Sequence, residues 1–284
     1  MIRAALIQMR SGRDMARNFS DAAELIRAAA VEGAGFVSTP EMTNIMEPDR
    51  PRLGALAKPE AKDESVAGFS TLARDLGIWL NIGSLALKGT GDRLVNRSLL
   101  FSPDGAIAAR YDKIHLFDVD LPTGETLRES QAYQGGGTAV LADAPFGPVG
   151  LTICYDMRFP HLYRALARAG AKLFTVPSAF TVPTGQAHWH VLLRARAIET
   201  GSFVLAAAQG GLHESGRETY GHSLIVSPWG EVLAEGGVEP GVVSADLDID
   251  ATGRARARIP ALGNDKAAAV EILKPSPGVA TSVP

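Results

Sequence analysis

The chain has 284 residues, of which 46% are hydrophobic and 21% charged, and its formal net charge is -3. This composition is typical of a globular protein and gives no positive field that would attract nucleic acid, so we expect no nucleic-acid partner. The N-terminal apolar run is too short for a signal peptide, and the longest stretch poor in charge is broken by prolines and glycines. We therefore expect a cytoplasmic protein that does not contact a membrane.

Strand and helix patterns alternate in the first part of the chain. Asn18 or Ser20 is the candidate N-cap of the first helix, whose apolar face includes Phe19 and Ile26. The order is a β-α-β unit followed by a further helix and strand. In chain order these elements are predicted over residues 3–9, 19–29, 35–41, 65–76 and 78–87.

The middle of the chain changes to hairpin patterns. Two apolar runs flank a Pro-Asp-Gly turn over residues 99–109, and residues 224–234 repeat the arrangement around Pro-Trp-Gly. The two segments share Ser-Pro-x-Gly in register, which indicates a mixed α/β fold built from two similar halves. Strands and helices are predicted between them as a strand ending at Cys154, a helix over 160–169, a strand over 172–177, a helix over 187–200 and a strand over 202–208.

No stretch rich in Pro, Gly or Ser divides the chain, so residues 1–273 are predicted to form a single domain. Residues 274–284 lack periodicity and are predicted to be disordered or held by a neighbouring subunit. Arg254, Arg256 and Arg258 form a basic run, which we interpret as a solvated face rather than an anion site.

The only cysteine, Cys154, ends an apolar run and precedes a polar turn that contains Arg158. Strand ends are where α/β enzymes hold catalytic groups, so Cys154 is a candidate nucleophile. One cysteine forms no internal disulfide, and it lacks the partners at recognisable spacing that a structural zinc site needs. The alternative, that Cys154 is a small hydrophobe packed in the core, stays open on this observation alone.

A cysteine nucleophile needs a base, because a thiol with a pKa of about 8.5 is mostly protonated at neutral pH. None of the six histidines lies in a local signature of a Cys-His protease. Glu41 ends the second predicted strand, and Lys113 lies in a short polar segment after the first hairpin. Each of these two residues, taken alone, is also explained by a solvated surface charge.

Taken together and in this order, the segments around Glu41, Lys113 and Cys154 resemble the nitrilase superfamily of carbon-nitrogen hydrolases, whose catalytic residues are Glu, Lys and Cys. The resemblance extends to the Nit branch and covers nearly the whole chain. It is carried by residues 111–118 (YDKIHLFD), 128–130 (RES), 154–160 (CYDMRFP), 177–180 (PSAF), 184–189 (TGQAHW), 192–199 (LLRARAIE), 206–209 (AAAQ), 220–223 (YGHS) and 228–230 (PWG).

The sequence departs from the family pattern in two places. His190 stands where members often have the Glu of His-Trp-Glu, and the segment after Pro260 drifts from the usual pattern. The first departure is expected to affect a pocket wall, and the second a subunit contact.

The resemblance implies a four-layer α-β-β-α sandwich of the α/β class, with no cofactor, no metal and a homodimer or larger homo-oligomer. It implies that Glu41 takes the proton of Cys154 and that the sulfur attacks an amide carbonyl. Lys113 and the backbone N–H of Tyr155 would hold the oxyanion. Glu129 matches a second glutamate that positions Lys113 and the substrate. Protonated Glu41 would then donate to the departing amine and activate the water that hydrolyses the thioester.

The implied substrate is a small-molecule amide of a 2-oxo acid. Deaminated glutathione, cleaved to 2-oxoglutarate and Cys-Gly, is the first expectation, and the omega-amides 2-oxoglutaramate and 2-oxosuccinamate or broader aliphatic amides are the alternatives. A binding protein that has kept the fold without catalysis is the alternative from another class.

The carboxylate of such a substrate needs a cation, and Arg158 is the candidate nearest to the nucleophile, with Arg194 or Arg196 as alternatives. Tyr155 and His188 are predicted to belong to the pocket wall. A metal pair of His188 and His190 is disfavoured, because two residues apart on a helix they diverge.

Overall fold

Two six-stranded sheets form the centre of the protein in this computed structural model, which describes residues 1–120, 124 and 126–273. The strands are, in chain order, β1 (Ile2–Gln8), β2 (Phe36–Ser38), β3 (Trp79–Lys88), β4 (Leu94–Phe101), β5 (Ile107–Asp112), β6 (Asp118–Asp120), β7 (Thr126–Arg128), β8 (Val140–Ala142), β9 (Val149–Leu151), β10 (Leu173–Thr175), β11 (Phe203–Ala206), β12 (Gly210–Leu212), β13 (Glu218–Tyr220), β14 (Leu224–Val226), β15 (Val232–Glu235) and β16 (Gly241–Leu247).

The two sheets have the same topology. The first has the order β16-β1-β2-β3-β4-β5 and the second has the order β8-β9-β10-β11-β14-β15. In the first sheet β1, β2 and β3 are parallel to one another, and in the second sheet β9, β10 and β11 are. Every other pairing in the two sheets is antiparallel. The hairpins β4–β5 and β14–β15 occupy equivalent places. The prediction of two similar halves is confirmed.

Helices cover the outer face of each sheet. The helices are α1 (Met15–Val31), α2 (Arg50–Leu56), α3 (Glu64–Leu76), α4 (Pro160–Arg168), α5 (Val182–Thr200) and α6 (Ala251–Arg258), with short 3-10 helices at Glu60–Lys62, Glu129–Gln131 and Cys154–Arg158. Helices α1 and α3 contact the first sheet, and α4 and α5 contact the second. The result is the predicted α-β-β-α sandwich.

Alternation along β1 shows how one strand serves two layers. Ala4 and Leu6 belong to the core between the sheets, whereas Ala5 and Ile7 belong to the core beneath α1 and α3. Successive side chains of a strand point to opposite faces, so a strand buried on both faces is apolar throughout. That is why the central strands read as unbroken apolar runs.

Local geometry corrects several predicted boundaries. Asp14, and neither Asn18 nor Ser20, caps α1, because its carboxylate accepts from the N–H groups of Ala16 and Arg17. Asn18 is instead buried and donates to the carbonyl of Asn44 at 2.8 Å. Helix α2 has no counterpart in the predictions, since its seven residues are too few to show a period. Helix α5 begins at Val182, five residues before the predicted start at 187.

The basic run near the C-terminus is only partly solvated. Arg254 and Arg258 are exposed, but Arg256 donates to the carbonyl of Thr200 at 3.0 Å and to the hydroxyl of Ser202 at 2.8 Å. The interpretation as a solvated face is therefore wrong for Arg256.

Within the described part of the chain, no helix has the length and apolar character that crossing a bilayer would require. The predicted tail, residues 274–284, lies outside the described residues. The single-domain organisation of residues 1–273 stays a prediction.

Candidate active site

Four candidate catalytic side chains come from segments that follow different strands and meet at one place. Glu41 lies in the turn after β2, Lys113 directly after β5, and Glu129 at the start of the 3-10 helix after β7. Cys154 opens the 3-10 helix after β9. Because β2 and β9 belong to different sheets, the site lies where the two halves of the sandwich meet.

Lys113 is the centre of this cluster. Its ammonium lies 2.8 Å from Oε1 of Glu41 and 2.9 Å from Oε2 of Glu129, and its side chain is 2% exposed. Asn96 in β4 joins the two carboxylates, since its amide donates to Glu41 at 2.9 Å and to Glu129 at 3.0 Å. The sequence-predicted trio of charged residues therefore forms one buried network.

Burial and charge set the protonation states of this network. Burial alone would lower the pKa of the Lys113 ammonium, but the carboxylates of Glu129 and Glu41 raise it well above its usual value. Burial would raise the pKa of the Glu41 carboxyl, but the charge and hydrogen bond of Lys113 bring it below its usual value. Lys113 is thus a fixed cation and Glu41 an ionised carboxylate at neutral pH.

The backbone of Cys154 is held in a strained conformation. Its φ of +46° is rare for a residue other than glycine. The Cys154 N–H donates to the carbonyl of Pro177 at 2.9 Å. Gly83 allows this arrangement, because a Cβ there would lie 2.4 Å from Pro177 and 2.1 Å from the carbonyl of Thr39 in the Glu41 turn. The close approach of the two turns brings the Cys154 thiol and the Glu41 carboxylate together.

The thiol of Cys154 is neutral at rest. Burial raises the pKa of the thiol above its usual value, and the charge of the neighbouring Glu41 carboxylate raises it further. A protonated thiol beside an ionised carboxylate is the arrangement in which the carboxylate acts as general base. The second oxygen of Glu41 accepts from the backbone N–H of Ala179 at 2.9 Å, which fixes the orientation of the carboxylate.

A cavity of about 710 Å³ opens onto this cluster and is lined by Glu41, Lys113, Glu129 and Cys154. This volume lies within the range of small-molecule sites. Apolar side chains form much of the wall, and three arginines contribute positive charge. The further lining residues include Met42, Ile45, Leu53, Phe117, Tyr155, Phe180, Arg50, Arg128 and Arg217.

The sequence profile of the carbon-nitrogen hydrolases matches residues 3–257. The chain belongs to the carbon-nitrogen hydrolase family. Human deaminated glutathione amidase is 40% identical over 261 residues, which cover 90% of this hydrolase and 80% of that protein. Human omega-amidase NIT2 is 38% identical over 279 residues, which cover 96% of this hydrolase and 99% of that protein.

Solved structures agree with this assignment. The hydrolase superposes on the C. elegans NitFhit protein with a TM-score of 0.88 and 37% identity, covering 93% of this chain and 65% of the NitFhit chain. Saccharomyces cerevisiae Nit3, a member of branch 10 of the nitrilase superfamily, gives a TM-score of 0.83 at 31% identity over 91% of this chain and 94% of its own. The predicted resemblance to nitrilase-type hydrolases and the predicted fold are confirmed.

The three predicted pocket residues of the hydrolase differ in their relation to the cavity. Tyr155 lines the cavity, but Arg158 and His188 are not among its described lining residues. The Arg158 guanidinium lies 3.2 Å from Nδ1 of His188 and 5.4 Å from the ring centroid of Phe180. Arg158 ends the 3-10 turn that Cys154 begins, so its side chain leaves the turn toward α5.

The two alternative arginines, Arg194 and Arg196, bind other protein groups and are not among the described lining residues of the cavity. Arg194 donates to the carbonyl of Gly230 at 2.7 Å, and Arg196 donates to the carbonyl of Met157 at 2.7 Å and pairs with Glu199. None of the three arginines is among the described lining residues of the cavity, and the substrate cation at Arg158, Arg194 or Arg196 stays a prediction.

Asp156 is a site residue that sequence reasoning missed. Its buried carboxylate accepts from the N–H of Ile153 at 2.8 Å, from the hydroxyl of Tyr111 at 2.7 Å and from the N–H of His115 at 3.1 Å. These bonds hold the strained turn that presents Cys154. A carboxylate two residues after the candidate nucleophile was the available signal.

The lowered pKa of Glu41 predicts where activity is lost in acid. A base whose pKa lies below the ordinary value of 4.5 stays ionised above that pH and is protonated only as the pH falls through its own, lower pKa. With an uncharged amide as substrate, kcat/KM is expected to stay level from neutral pH to about pH 5. Circular dichroism at each pH separates protonation from acid unfolding. An acid limb centred above about pH 6 in the folded protein contradicts the prediction.

Proposed function

We propose that the hydrolase is a thiol-dependent amidase in which Cys154 is the nucleophile and Glu41 the general base. The observation that carries this proposal is the buried arrangement of a neutral thiol, an ionised Glu41 carboxylate and the Lys113 ammonium, all lining one cavity. Glu129 takes the role of a positioning residue, because it holds Lys113 at 2.9 Å and accepts from the N–H of Phe117 at 2.7 Å.

The proposed reaction has two stages. Glu41 takes the thiol proton as the sulfur attacks the amide carbonyl, and Lys113 with the N–H of Tyr155 stabilises the oxyanion. Protonated Glu41 then donates to the departing amine, which leaves a thioester on Cys154. In the second stage Glu41 takes a proton from water, the hydroxide attacks the thioester, and the thiol leaves with that proton. Lys113 remains a cation throughout.

Deaminated glutathione is the proposed substrate, hydrolysed to 2-oxoglutarate and Cys-Gly. The relatives named deaminated glutathione amidase support this choice. A cavity of about 710 Å³ has room for a tripeptide-sized amide, and its three arginines suit a substrate that carries two carboxylates. The second candidate is the omega-amide of a 2-oxo acid, which the relative named omega-amidase NIT2 favours.

Arg217 replaces Arg158 as the proposed partner of the 2-oxo acid carboxylate. It lines the cavity and donates to the carbonyl of Ala179 at 2.8 Å. The N–H of the same Ala179 binds Glu41, so the guanidinium lies next to the reacting groups. Among the described residues, Arg217 has no carboxylate within ion-pair distance, whereas Arg128 pairs with Asp120.

Arg217→Gln is expected to lower kcat/KM for deaminated glutathione and 2-oxoglutaramate about a hundredfold, because a charge-assisted hydrogen bond to the carboxylate is lost. Turnover of a neutral aliphatic amide is expected to change less than about threefold, since that substrate has no carboxylate. The measurement compares kcat/KM for the three amides in wild type and variant. Deaminated glutathione is expected to have the highest value in wild type.

Arg158→Gln is the matched control, since Arg158 is an arginine near the nucleophile that does not line the described cavity. Arg158→Gln is expected to leave the ratios of kcat/KM among the three amides unchanged. Equal losses on charged and neutral amides in Arg217→Gln would overturn the assignment of the carboxylate contact. A higher kcat/KM for 2-oxoglutaramate than for deaminated glutathione would favour the omega-amidase function.

A homodimer or larger homo-oligomer is part of the proposal. Helix α5 carries large apolar side chains at its surface, with Val191 68% and Ile198 53% exposed, and Trp229 is 49% exposed. Apolar side chains at this exposure are suited to contact with a second copy of the chain.

A further inference from the structure

A second cluster of ionisable side chains lies away from the cavity, where α5 meets the hairpin β14–β15. His190 Nε2 and His222 Nδ1 each lie 2.9 Å from Oε1 of Glu235. One ligand atom from each residue lies within 4.8 Å of the other two. The three residues come from α5, from the turn before β14 and from the end of β15. None of them has a part in the reaction proposed for Cys154.

The backbone fixes this cluster independently of any ligand. His222 has a φ of +56°, which is rare for a residue other than glycine. Its N–H donates to the carbonyl of Gly237 at 2.7 Å, and its own carbonyl accepts from the indole of Trp189 at 2.8 Å. Trp189 is fully buried and is the neighbour of His190 in α5. The same contact therefore holds the backbone of His222 next to the part of α5 that carries His190.

We propose that His190, His222 and Glu235 form a zinc-binding site with an open fourth position. Two imidazole nitrogens and one carboxylate oxygen are a donor set that Zn²⁺ takes in sites that keep a place for water. Hard cations such as Mg²⁺ and Ca²⁺ prefer oxygen ligands, so they are excluded by the two imidazoles.

The distances suit an ion of this size. Ligand bonds of about 2.0–2.1 Å in a tetrahedral site separate neighbouring ligand atoms by roughly 3.3 Å. The two observed separations from Glu235 are 2.9 Å, so a small outward movement of the side chains admits the ion in place of the two shared protons. All three ligands belong to one chain, and the bound ion would tie α5 to the β14–β15 hairpin.

Calorimetric titration of Zn²⁺ into the metal-free full chain tests the site. Cys154→Ala serves as the background, because it removes the only thiol as a competing ligand. One ion per chain is expected to bind, and Co²⁺ in its place is expected to give the visible absorption of a tetrahedral complex. His190→Ala, Glu235→Ala and His222→Asn are each expected to weaken Zn²⁺ binding at least about tenfold. Asn is chosen at 222 because it tolerates positive φ.

His161→Ala is the control, since His161 is an exposed histidine on α4 that packs beside His115 and Phe159. It is expected to bind Zn²⁺ with the affinity of the Cys154→Ala background.

Zn²⁺ at a hundred times its Kd is expected to raise the melting temperature of the Cys154→Ala background by about 5 °C and to have no such effect when His190→Ala is added. Melting curves in chelator check that each variant is folded. Absence of stoichiometric binding, or equal affinity in His190→Ala, Glu235→Ala and His161→Ala, would overturn the proposal.

Discussion

Replacing Cys154 by alanine is expected to lower amide hydrolysis by at least about ten-thousandfold, because the proposed reaction passes through a covalent acyl intermediate on the Cys154 sulfur. The effect is expected in kcat with every amide that the wild type cleaves. Release of the amine product in a preparation free of wild-type enzyme measures it. Cys154 is 7% exposed and small, so its truncation is expected to leave the fold intact.

Two controls separate loss of chemistry from loss of structure in the Cys154 variant. Its melting temperature is expected to stay within a few degrees of the wild-type value, since only one sulfur atom is removed. Rapid mixing of wild type with substrate is expected to show a mass increment on Cys154 that the variant lacks. Retained turnover in Cys154→Ala, or no increment with any amide in wild type, contradicts the proposed nucleophile. The second outcome favours a binding protein that has kept the fold without catalysis.

Glu41 and Cys154 could be predicted as site candidates because each follows an apolar run that forms a central strand, whereas Lys113 follows the edge strand β5. Their juxtaposition needed the family resemblance, since β2, β5 and β9 give no local signal that their ends meet. The strained φ of Cys154 is likewise absent from the sequence pattern.

Arg158 and Arg217 differ in how the sequence and the fold point to them as partners of the substrate carboxylate. Arg158 is close to Cys154 in the chain, but its guanidinium lies 3.2 Å from Nδ1 of His188 in α5, and Arg158 is not among the described lining residues of the cavity. Arg217 reaches the cavity from the turn before β13, and the pairing of Thr181 with Thr219 and the hydrogen bond from the Tyr220 N–H to the Phe180 carbonyl bring that turn to the site. Asn96 lies beside Arg97 and Ser98 in β4, so its polar side chain did not by itself mark it as a site residue.

The buried network explains why its members cannot be exchanged freely. Lys113 is held between two carboxylates at 2.8 and 2.9 Å, and removing its charge would leave Glu41 and Glu129 buried without a counter-ion. Removing Glu41 leaves Lys113 still paired with Glu129. Variants of Glu41 therefore report on chemistry more cleanly than variants of Lys113.

Glu41→Gln is expected to lower kcat about a thousandfold, because the thiol loses its general base and the departing amine loses its proton donor. The same substitution is expected to lower the pKa of Cys154, since the Glu41 carboxylate is one of the groups that raise it. Loss of the general base and loss of the negative charge thus predict changes in kcat of opposite sign. If the carboxylate acted only through its charge, the variant would hold more thiolate and react faster.

Ultraviolet absorbance of the thiolate against pH, with Cys154→Ala as the blank, measures the pKa in wild type and in Glu41→Gln. Initial rates on the same preparations give kcat. A lower thiol pKa together with a large loss of turnover supports the base role, because more nucleophile is then present and less reaction occurs. Glu129→Gln is the matched control: it also removes a carboxylate from Lys113 but leaves Glu41 beside the thiol, so its loss in kcat is expected to be smaller. Turnover in Glu41→Gln that equals or exceeds the wild-type value contradicts general-base catalysis by this residue.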